Sequence, residues 1–133
     1  MERGDPIRPL VLVADGDEDI RALVTFRLER SGYEVVTAYD GVQALELARE
    51  RHPDLAVLDV MMPRLSGLEV TRRLREDEAT QRIPVILLTA RVEKADVARG
   101  LEAGADDCVT KPFSPQELRD RVEHVLGRQQ VSS

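Results

Sequence analysis

Acids, a hydroxyl and a lysine each follow an apolar run in this 133-residue chain. Asp15 and Asp17, separated by Gly16, come after Leu10–Ala14 (LVLVA). Asp59 comes after Leu55–Leu58 (LAVL), Thr89 after Pro84–Leu88 (PVILL), and Lys111 shortly after Cys108–Val109. Carboxylates that crowd together repel, and either take up protons more readily or hold a hard divalent cation such as Mg²⁺ through oxygen. A lysine charge and a hydroxyl beside them suit a phosphoryl group, whose oxygens need charge-assisted donors. An Asp carboxylate can itself be the nucleophile, giving an aspartyl-phosphate.

Those residues meet only if the apolar runs are neighbouring strands. The runs at 10–14, 55–58 and 84–88 are nearly continuous in Val, Leu and Ile, the signature of strands covered on both faces of a parallel sheet. Glu34–Ala38 (EVVTA) and Cys108–Val109 complete five. Between them the spacing is helical: Ile20, Leu23, Val24 and Leu28 share one face, and Val42, Leu45 and Ala48 another. Leu68 and Leu74 mark a third helix, Val97, Ala98 and Leu101 a fourth, and Leu118, Val122 and Val125 a fifth. Asp40, Ser66 and Ser114 stand where N-caps belong, Ser114 with Glu117 in a capping box and Pro115 at the first helical position; Gly32 and Gly104 suit helix ends. The pattern is an α/β doubly wound (βα)₅ unit, and right-handed crossovers place ligands at the carboxyl ends of the strands. Residues 10–127 are expected to form the domain, with 1–9 an N-terminal tail and 128–133 a tail or the start of a linker.

Composition narrows the chemistry. The chain has 25 acidic and 19 basic residues, a net charge of −6, which disfavours nucleic acid and anionic membranes as direct partners. Aromatic residues make up 3%, with no Trp, so a base-stacking platform is not expected. The single cysteine, Cys108, excludes an internal disulfide. No apolar run approaches the roughly 20 residues of a membrane span, and MERGDPIRP lacks a signal core. A cytoplasmic domain is expected.

The segments PDLAVLDVMMPRLSGLEV, PVILLTA and GLEAGADDCVTKPFSPQELRDRV, with intervals of 30 and 22 residues from Asp59 to Thr89 to Lys111, resemble a response-regulator receiver domain of the OmpR/PhoB-like branch over about Leu10 to Leu126. The resemblance implies a flavodoxin-like three-layer fold with a parallel sheet of order 2-1-3-4-5. It implies that Asp59 accepts a phosphoryl group from a sensor histidine kinase and that Mg²⁺ binds at Asp15, Asp59 and the Met61 carbonyl. Thr89 and Lys111 would engage the phosphoryl group, the Lys111–Pro112 peptide would be cis, and the small Ala90 would leave room for Thr89 to move. The signal would pass through the face made by the fourth helix, fifth strand and fifth helix. Its reader would be an effector domain or downstream protein, or a second copy of the chain. In that branch residues placed like Asp107, Glu117 and Arg121 form salt bridges across a symmetric dimer; as isolated charges they read as solvated.

Two positions depart from the family pattern. Gly16 stands where a second acid is expected as a metal ligand, so Mg²⁺ is expected to bind more weakly. Asp17 substitutes only if the Gly16 backbone redirects it; otherwise it is part of an acidic first turn with Glu18 and Asp19. Cys108 stands where an aromatic switch residue is expected, and as a small side chain it cannot make the same ring rotation.

Other roles compete. A receiver-like interaction module that is never phosphorylated would account for Gly16 and Cys108 together. A haloacid-dehalogenase-like phosphatase shares the letters Asp15-Gly16-Asp17 and the pair Asp106–Asp107. However, Lys111 follows that pair where the phosphatase lysine precedes it, and Asp19 stands where Thr or Val is needed. Dinucleotide binding lacks its G-x-G-x-x-G. Cys108 reads as a small hydrophobe, His52 and His124 as solvated, and Met61 and Met62 as loop packing.

Overall fold

Continuous apolar strands need cover on both faces, and the chain supplies it. The computed structural model describes residues 8–90 and 94–131. The order is β1 (Leu10–Ala14), α1 (Glu18–Arg30), β2 (Glu34–Ala38), α2 (Gly41–Arg51), β3 (Leu55–Asp59), α3 (Gly67–Glu76), β4 (Val85–Thr89), α4 (Lys94–Ala103), β5 (Asp107–Thr110) and α5 (Pro115–Val131). Helix α5 continues beyond the domain end expected at 127. Residues 1–7 and 132–133 of the expected tails lie outside the described residues.

The five strands are parallel in the order β2-β1-β3-β4-β5, the expected doubly wound sheet. Alternation along each strand sorts the core in two. Leu12, Ala14, Ala56, Leu58, Val85 and Leu87 pack with residues of α2 and α3. Val11, Val13, Leu55, Val57, Ile86, Leu88 and Val109 pack against α1 and α5, which bring Val24, Leu28, Leu118, Val122 and Val125. Burying a side chain of this size is worth about 1.5–3 kcal/mol, and every residue of β3 and β4 is buried. β2 and β5 lie at the sheet edges and are only partly covered, which is why their apolar runs are broken by Glu34, Thr37, Asp107 and Thr110.

The helices start where capping chemistry allows. Asp17, Asp40 and Ser66 accept amide bonds at the starts of α1, α2 and α3, and Ser114 Oγ accepts the Glu117 amide at the start of α5. Gly32 and Gly104 follow α1 and α4 with positive φ.

Two helix faces differ from the spacing argument. In α1, Val24 and Leu28 are buried, but Leu23 is 57% exposed and Phe26 63% exposed. In α4, Leu101 and Ala98 face outward, while Gly100 and Ala103 are buried. Counting apolar side chains misplaces this helix because its inner face is made of the smallest residues. A Cβ on Gly100 would stand 2.9 Å from Leu87 Cδ1 and 3.1 Å from Cys108 Sγ, so α4 rests almost backbone-on-sheet. Among the described residues no helix is long and apolar enough to cross a membrane.

Candidate functional site

β1, β3, β4 and β5 end on one rim, and short backbone bonds tie the ends together. The Asp15 amide donates to the Ala38 carbonyl (3.1 Å), Val60 to Leu88 (2.9 Å) and Lys111 to Thr89 (2.7 Å). Gly67, at the start of α3, allows that helix to fold back onto β3: a Cβ there would run into the Asp59 carbonyl. The loop carrying Met61 is thereby closed against the rim, with the Gly67 amide donating to the Val60 carbonyl at 3.1 Å.

Asp59 is 5% exposed. Its Oδ1 accepts the Met61 amide at 3.2 Å and its Oδ2 accepts from Lys111 Nζ at 3.2 Å. Asp15 is fully buried, and its Oδ2 stands 3.0 Å from the same ammonium. That contact is an ion pair whose angles fall outside hydrogen-bond geometry, and it leaves Asp15 Oδ2 a buried oxygen with no hydrogen-bond donor. One lysine therefore bridges two carboxylates in a site largely closed to water.

The electrostatics follow. Burial, and then the Asp15 charge, push the Asp59 carboxyl above the ordinary carboxylate range, against the opposing pull of Lys111. Burial draws Lys111 downward, but its pairing with the Asp15 carboxylate and the Asp59 charge outweigh it and hold the ammonium above its ordinary value.

Thr89 is buried at the end of β4, and Ala90 beside it is exposed. Met61 projects its side chain into solvent, 77% exposed, which removes its sulfur from the site. Met62, by contrast, packs in the core. The Lys111–Pro112 peptide is cis. Next to Lys111 lies a groove of about 450 Å³ whose lining includes Ile20, Leu23, Ala90, Pro112 and Phe113; the outward turn of Leu23 is part of its wall.

Of the two roles open to Asp17, the structure gives it the helix cap. Its Oδ1 accepts from the Asp19 and Ile20 amides at 2.8 and 3.3 Å, and the side chain is exposed. Gly16 is not in the left-handed region. Its missing side chain is thus not a backbone requirement: a Cβ would lie 3.3 Å from Pro63 Cδ and 3.9 Å from the Tyr39 carbonyl.

Cys108 is half-buried under α4, and burial followed by the Asp107 charge raises its thiol pKa, so it behaves as a small packed hydrophobe. Asp107 and Arg121 pair within the chain, Nη1 to Oδ2 at 2.7 Å, and the same nitrogen lies 3.4 Å from the Cys108 carbonyl. Glu117 is exposed on α5. Sequence reasoning passed over Arg21, whose guanidinium donates to the Asp15 carbonyl at 2.8 Å. The signal for it was weak: a basic residue four positions after a helix cap is common in any α1-like segment.

The comparisons with known proteins agree with this geometry. The family model described as the response regulator receiver domain matches residues 11–123. The chain is 48% identical over 123 residues to the alkaline phosphatase synthesis transcriptional regulatory protein PhoP of Bacillus subtilis, covering 92% of this chain and 50% of that one. It is 47% identical over 118 residues to the phosphate regulon transcriptional regulatory protein PhoB of Pseudomonas aeruginosa, covering 89% and 52%. The chain thus spans about half the length of these curated relatives. Among solved structures, a response regulator from Chloroflexus aurantiacus superposes with a TM-score of 0.86 at 34% identity, covering 91% of this chain and 99% of the other. The receiver domain of the sensor histidine kinase PA1611 of Pseudomonas aeruginosa, described with a magnesium ion in its active-site cleft, superposes with a TM-score of 0.83 at 30% identity, covering 91% and 99%. With its doubly wound sheet, its rim of two acids and a lysine, and its likeness to PhoP and PhoB, the chain belongs to the response-regulator receiver-domain family, in the OmpR/PhoB-like branch.

Proposed function

We propose that the chain is a phosphorylation-controlled switch in which Asp59 accepts a phosphoryl group from the phosphohistidine of a sensor kinase. The observation that carries this reading is the single ammonium of Lys111 set between Asp59 Oδ2 and Asp15 Oδ2, at 3.2 and 3.0 Å. In the transfer, a carboxylate oxygen of Asp59 bonds to phosphorus as the phosphorus–nitrogen bond breaks. The imidazole nitrogen leaves with that electron pair and takes a proton. Lys111 is a preformed donor and positive charge for the phosphoryl oxygens, and Thr89 supplies a hydroxyl from the neighbouring strand end.

The residues present fit Mg²⁺. Asp15 Oδ2 is a buried oxygen without a hydrogen-bond donor, and the Asp59 carboxylate lies across the same ammonium. Asp15, Asp59 and the Met61 carbonyl are the groups that would hold the ion, an all-oxygen set of the kind Mg²⁺ accepts. The cation would neutralise charge shared by the carboxylates and the incoming phosphoryl group. Gly16 contributes no ligand and Asp17 is held by its cap, so we assign the site a low Mg²⁺ affinity.

The groove beside Lys111 is the natural approach for the kinase's phosphohistidine segment, since it is apolar and opens next to Asp59's partner. We place the chain in the cytoplasm, as a signalling domain read by an effector domain or downstream protein, without nucleic-acid contacts of its own. A homodimer through α4, β5 and α5 would have to work around the Asp107–Arg121 pair or exchange it. A receiver-like module that is never phosphorylated rests on Gly16 and Cys108 alone and gives no role to the ammonium of Lys111 held between Asp15 and Asp59.

The test is intact-protein mass after incubation with acetyl phosphate across a range of Mg²⁺ concentrations, with Asp59→Asn in parallel. An adduct of one phosphoryl group that requires both Asp59 and Mg²⁺ supports the reading. A folded protein that gains no adduct at any Mg²⁺ concentration, either from acetyl phosphate or from a phosphohistidine-bearing kinase, refutes it.

A further inference from the structure

We infer that Arg21 is a positioning residue for the Asp15 carboxylate and, through it, for cation binding on the rim; this rests on the Mg²⁺ role proposed above. Asp15 is held at three points. Its amide donates to the Ala38 carbonyl at 3.1 Å, its Oδ1 accepts the Asp17 amide at 2.9 Å, and its carbonyl accepts from Arg21 Nη1 at 2.8 Å. The atom left over is Oδ2, buried and turned to Lys111.

The three holds form a chain of consequence. The 15–16 peptide, together with the two Gly16 dihedrals, sets where the Asp17 amide points. The Asp17 amide fixes Oδ1, and fixing Oδ1 leaves Oδ2 facing the site. The residue at the centre of this turn is Gly16, which is exposed and has no side chain with which to anchor itself. A glycine turn has more backbone freedom than any other, so its geometry depends on whatever grips the neighbouring carbonyl. Arg21 is that grip. It stands on the first turn of α1, its own amide donating to the Asp17 carbonyl at 3.0 Å, so the helix cap and the guanidinium move as one piece.

The positioning role and a mere charge effect have opposite signs. Arg21 is a cation near a cation site, and removing its charge alone would tighten Mg²⁺ binding, weakly because the side chain is half-exposed and screened. Removing a group that orients a ligand loosens binding, typically by about tenfold or more.

The experiment is a Mg²⁺ titration of the unphosphorylated protein, followed by amide chemical shifts around Asp15 and Asp59. It is run on wild type, Arg21→Met, Arg21→Lys, Asp15→Asn and the Arg21→Met/Asp15→Asn double variant, each checked for cooperative thermal unfolding. Affinity should fall roughly tenfold in Arg21→Met and recover in part in Arg21→Lys. In the Asp15→Asn background Arg21→Met should have no further effect, because it acts through that side chain. Wild-type binding that needs Asp15 but is equalled or exceeded by Arg21→Met overturns the inference alone, as do effects of the two substitutions that simply add. Wild-type binding that does not depend on Asp15, or no binding at all, overturns both the inference and the metal reading beneath it.

Discussion

Lys111 Nζ lies 3.2 Å from Asp59 Oδ2, and this one contact does not overcome the burial of Asp59 or the nearness of Asp15: the net effect on the Asp59 carboxyl is upward. The consequence for stability can be signed. An acid whose pKa is higher in the folded than in the unfolded protein binds more protons when folded, so stability falls as pH rises from its ordinary value through the raised one. At neutral pH the ionised Asp59 is therefore a cost. Asp59→Asn should raise the melting temperature by a few degrees at pH 7. It should also abolish the acid-side gain in stability that wild type shows just above the ordinary carboxylate range. Lys111, held above its ordinary value, contributes in the other direction: its stabilisation is present at neutral pH and is lost as pH rises through its raised pKa. Melting curves from pH 4 to pH 11 on both proteins check this; an Asp59→Asn protein less stable than wild type at pH 7 would contradict it.

Gly16 can be tested by adding what it lacks. The position is exposed, its φ is not left-handed, and a Cβ would meet Pro63 Cδ at 3.3 Å, a contact the exposed ring relieves by a few tenths of an ångström. Gly16→Asp would thus place a third carboxylate on the rim with little strain. Without Mg²⁺ that adds repulsion and should lower the melting temperature. With Mg²⁺ it adds an oxygen ligand, and affinity should rise by about an order of magnitude. The two effects have opposite signs, so melting curves of wild type and Gly16→Asp, plotted against Mg²⁺ concentration, should cross, since binding to the folded state alone raises stability in proportion to log concentration above the dissociation constant. Parallel curves would show that residue 16 does not face the cation.

The seam between α4 and β5 offers a third test. Gly100→Ala gains about 1 kcal/mol of helix propensity. Its Cβ, however, would stand 2.9 Å from Leu87 Cδ1, and Leu87 is only 1% exposed with the sheet behind it. Overpacking of that kind costs about 1–3 kcal/mol, so the net effect should be a loss of about 1 kcal/mol, measured by urea unfolding. Adding Cys108→Ala removes the second close contact, at 3.1 Å, and should return part of the loss. A stabilised Gly100→Ala protein would mean that α4 rides further from the sheet than this.

How far the sequence alone reaches depends on what each element asks of its residues. β1, β3 and β4 were legible because both their faces are covered, which confines polar residues to the last positions of β3 and β4. The meeting of these residues on one rim was legible because strand ends are where such a sheet gathers polar groups: Asp59 and Thr89 close β3 and β4, and Asp15 and Lys111 follow β1 and β5. α4 was misread on its inner face because glycine and alanine carry no apolar signal, though here they set the distance to β5. Leu23 was apolar at helical spacing, yet α1 turns it outward beside a groove. Asp17 was left between two roles that spacing cannot separate; the cap decides between them only once the direction of its carboxylate is known.

The contacts of Arg75 were beyond the reach of any local pattern, because they join segments far apart in the chain. From α3 its guanidinium donates to the carbonyls of Gly104, Gln81 and Ile83 at 3.0, 3.0 and 2.7 Å, and to Asp106 Oδ2 at 3.2 Å. The same Asp106 oxygen accepts the Val85 amide at 2.8 Å. One side chain thus joins the end of α3, the entry to β4, the end of α4 and the entry to β5, at the end of the sheet opposite the Asp59 rim. Removing it leaves three carbonyls without this donor and Asp106 Oδ2 with the Val85 amide alone, and the loss of each such bond costs about 1 kcal/mol or more. Arg75→Met, which keeps the stem and removes the donors, should destabilise the protein by about 3 kcal/mol in urea unfolding. Lysine can replace only one or two of these bonds and should recover less than half. Because the rim is anchored separately, Mg²⁺ affinity in the folded Arg75→Met protein should stay within about twofold of wild type, the additivity expected of distant sites. A large change in Mg²⁺ affinity would show instead that the far end of α4 is coupled to Asp59.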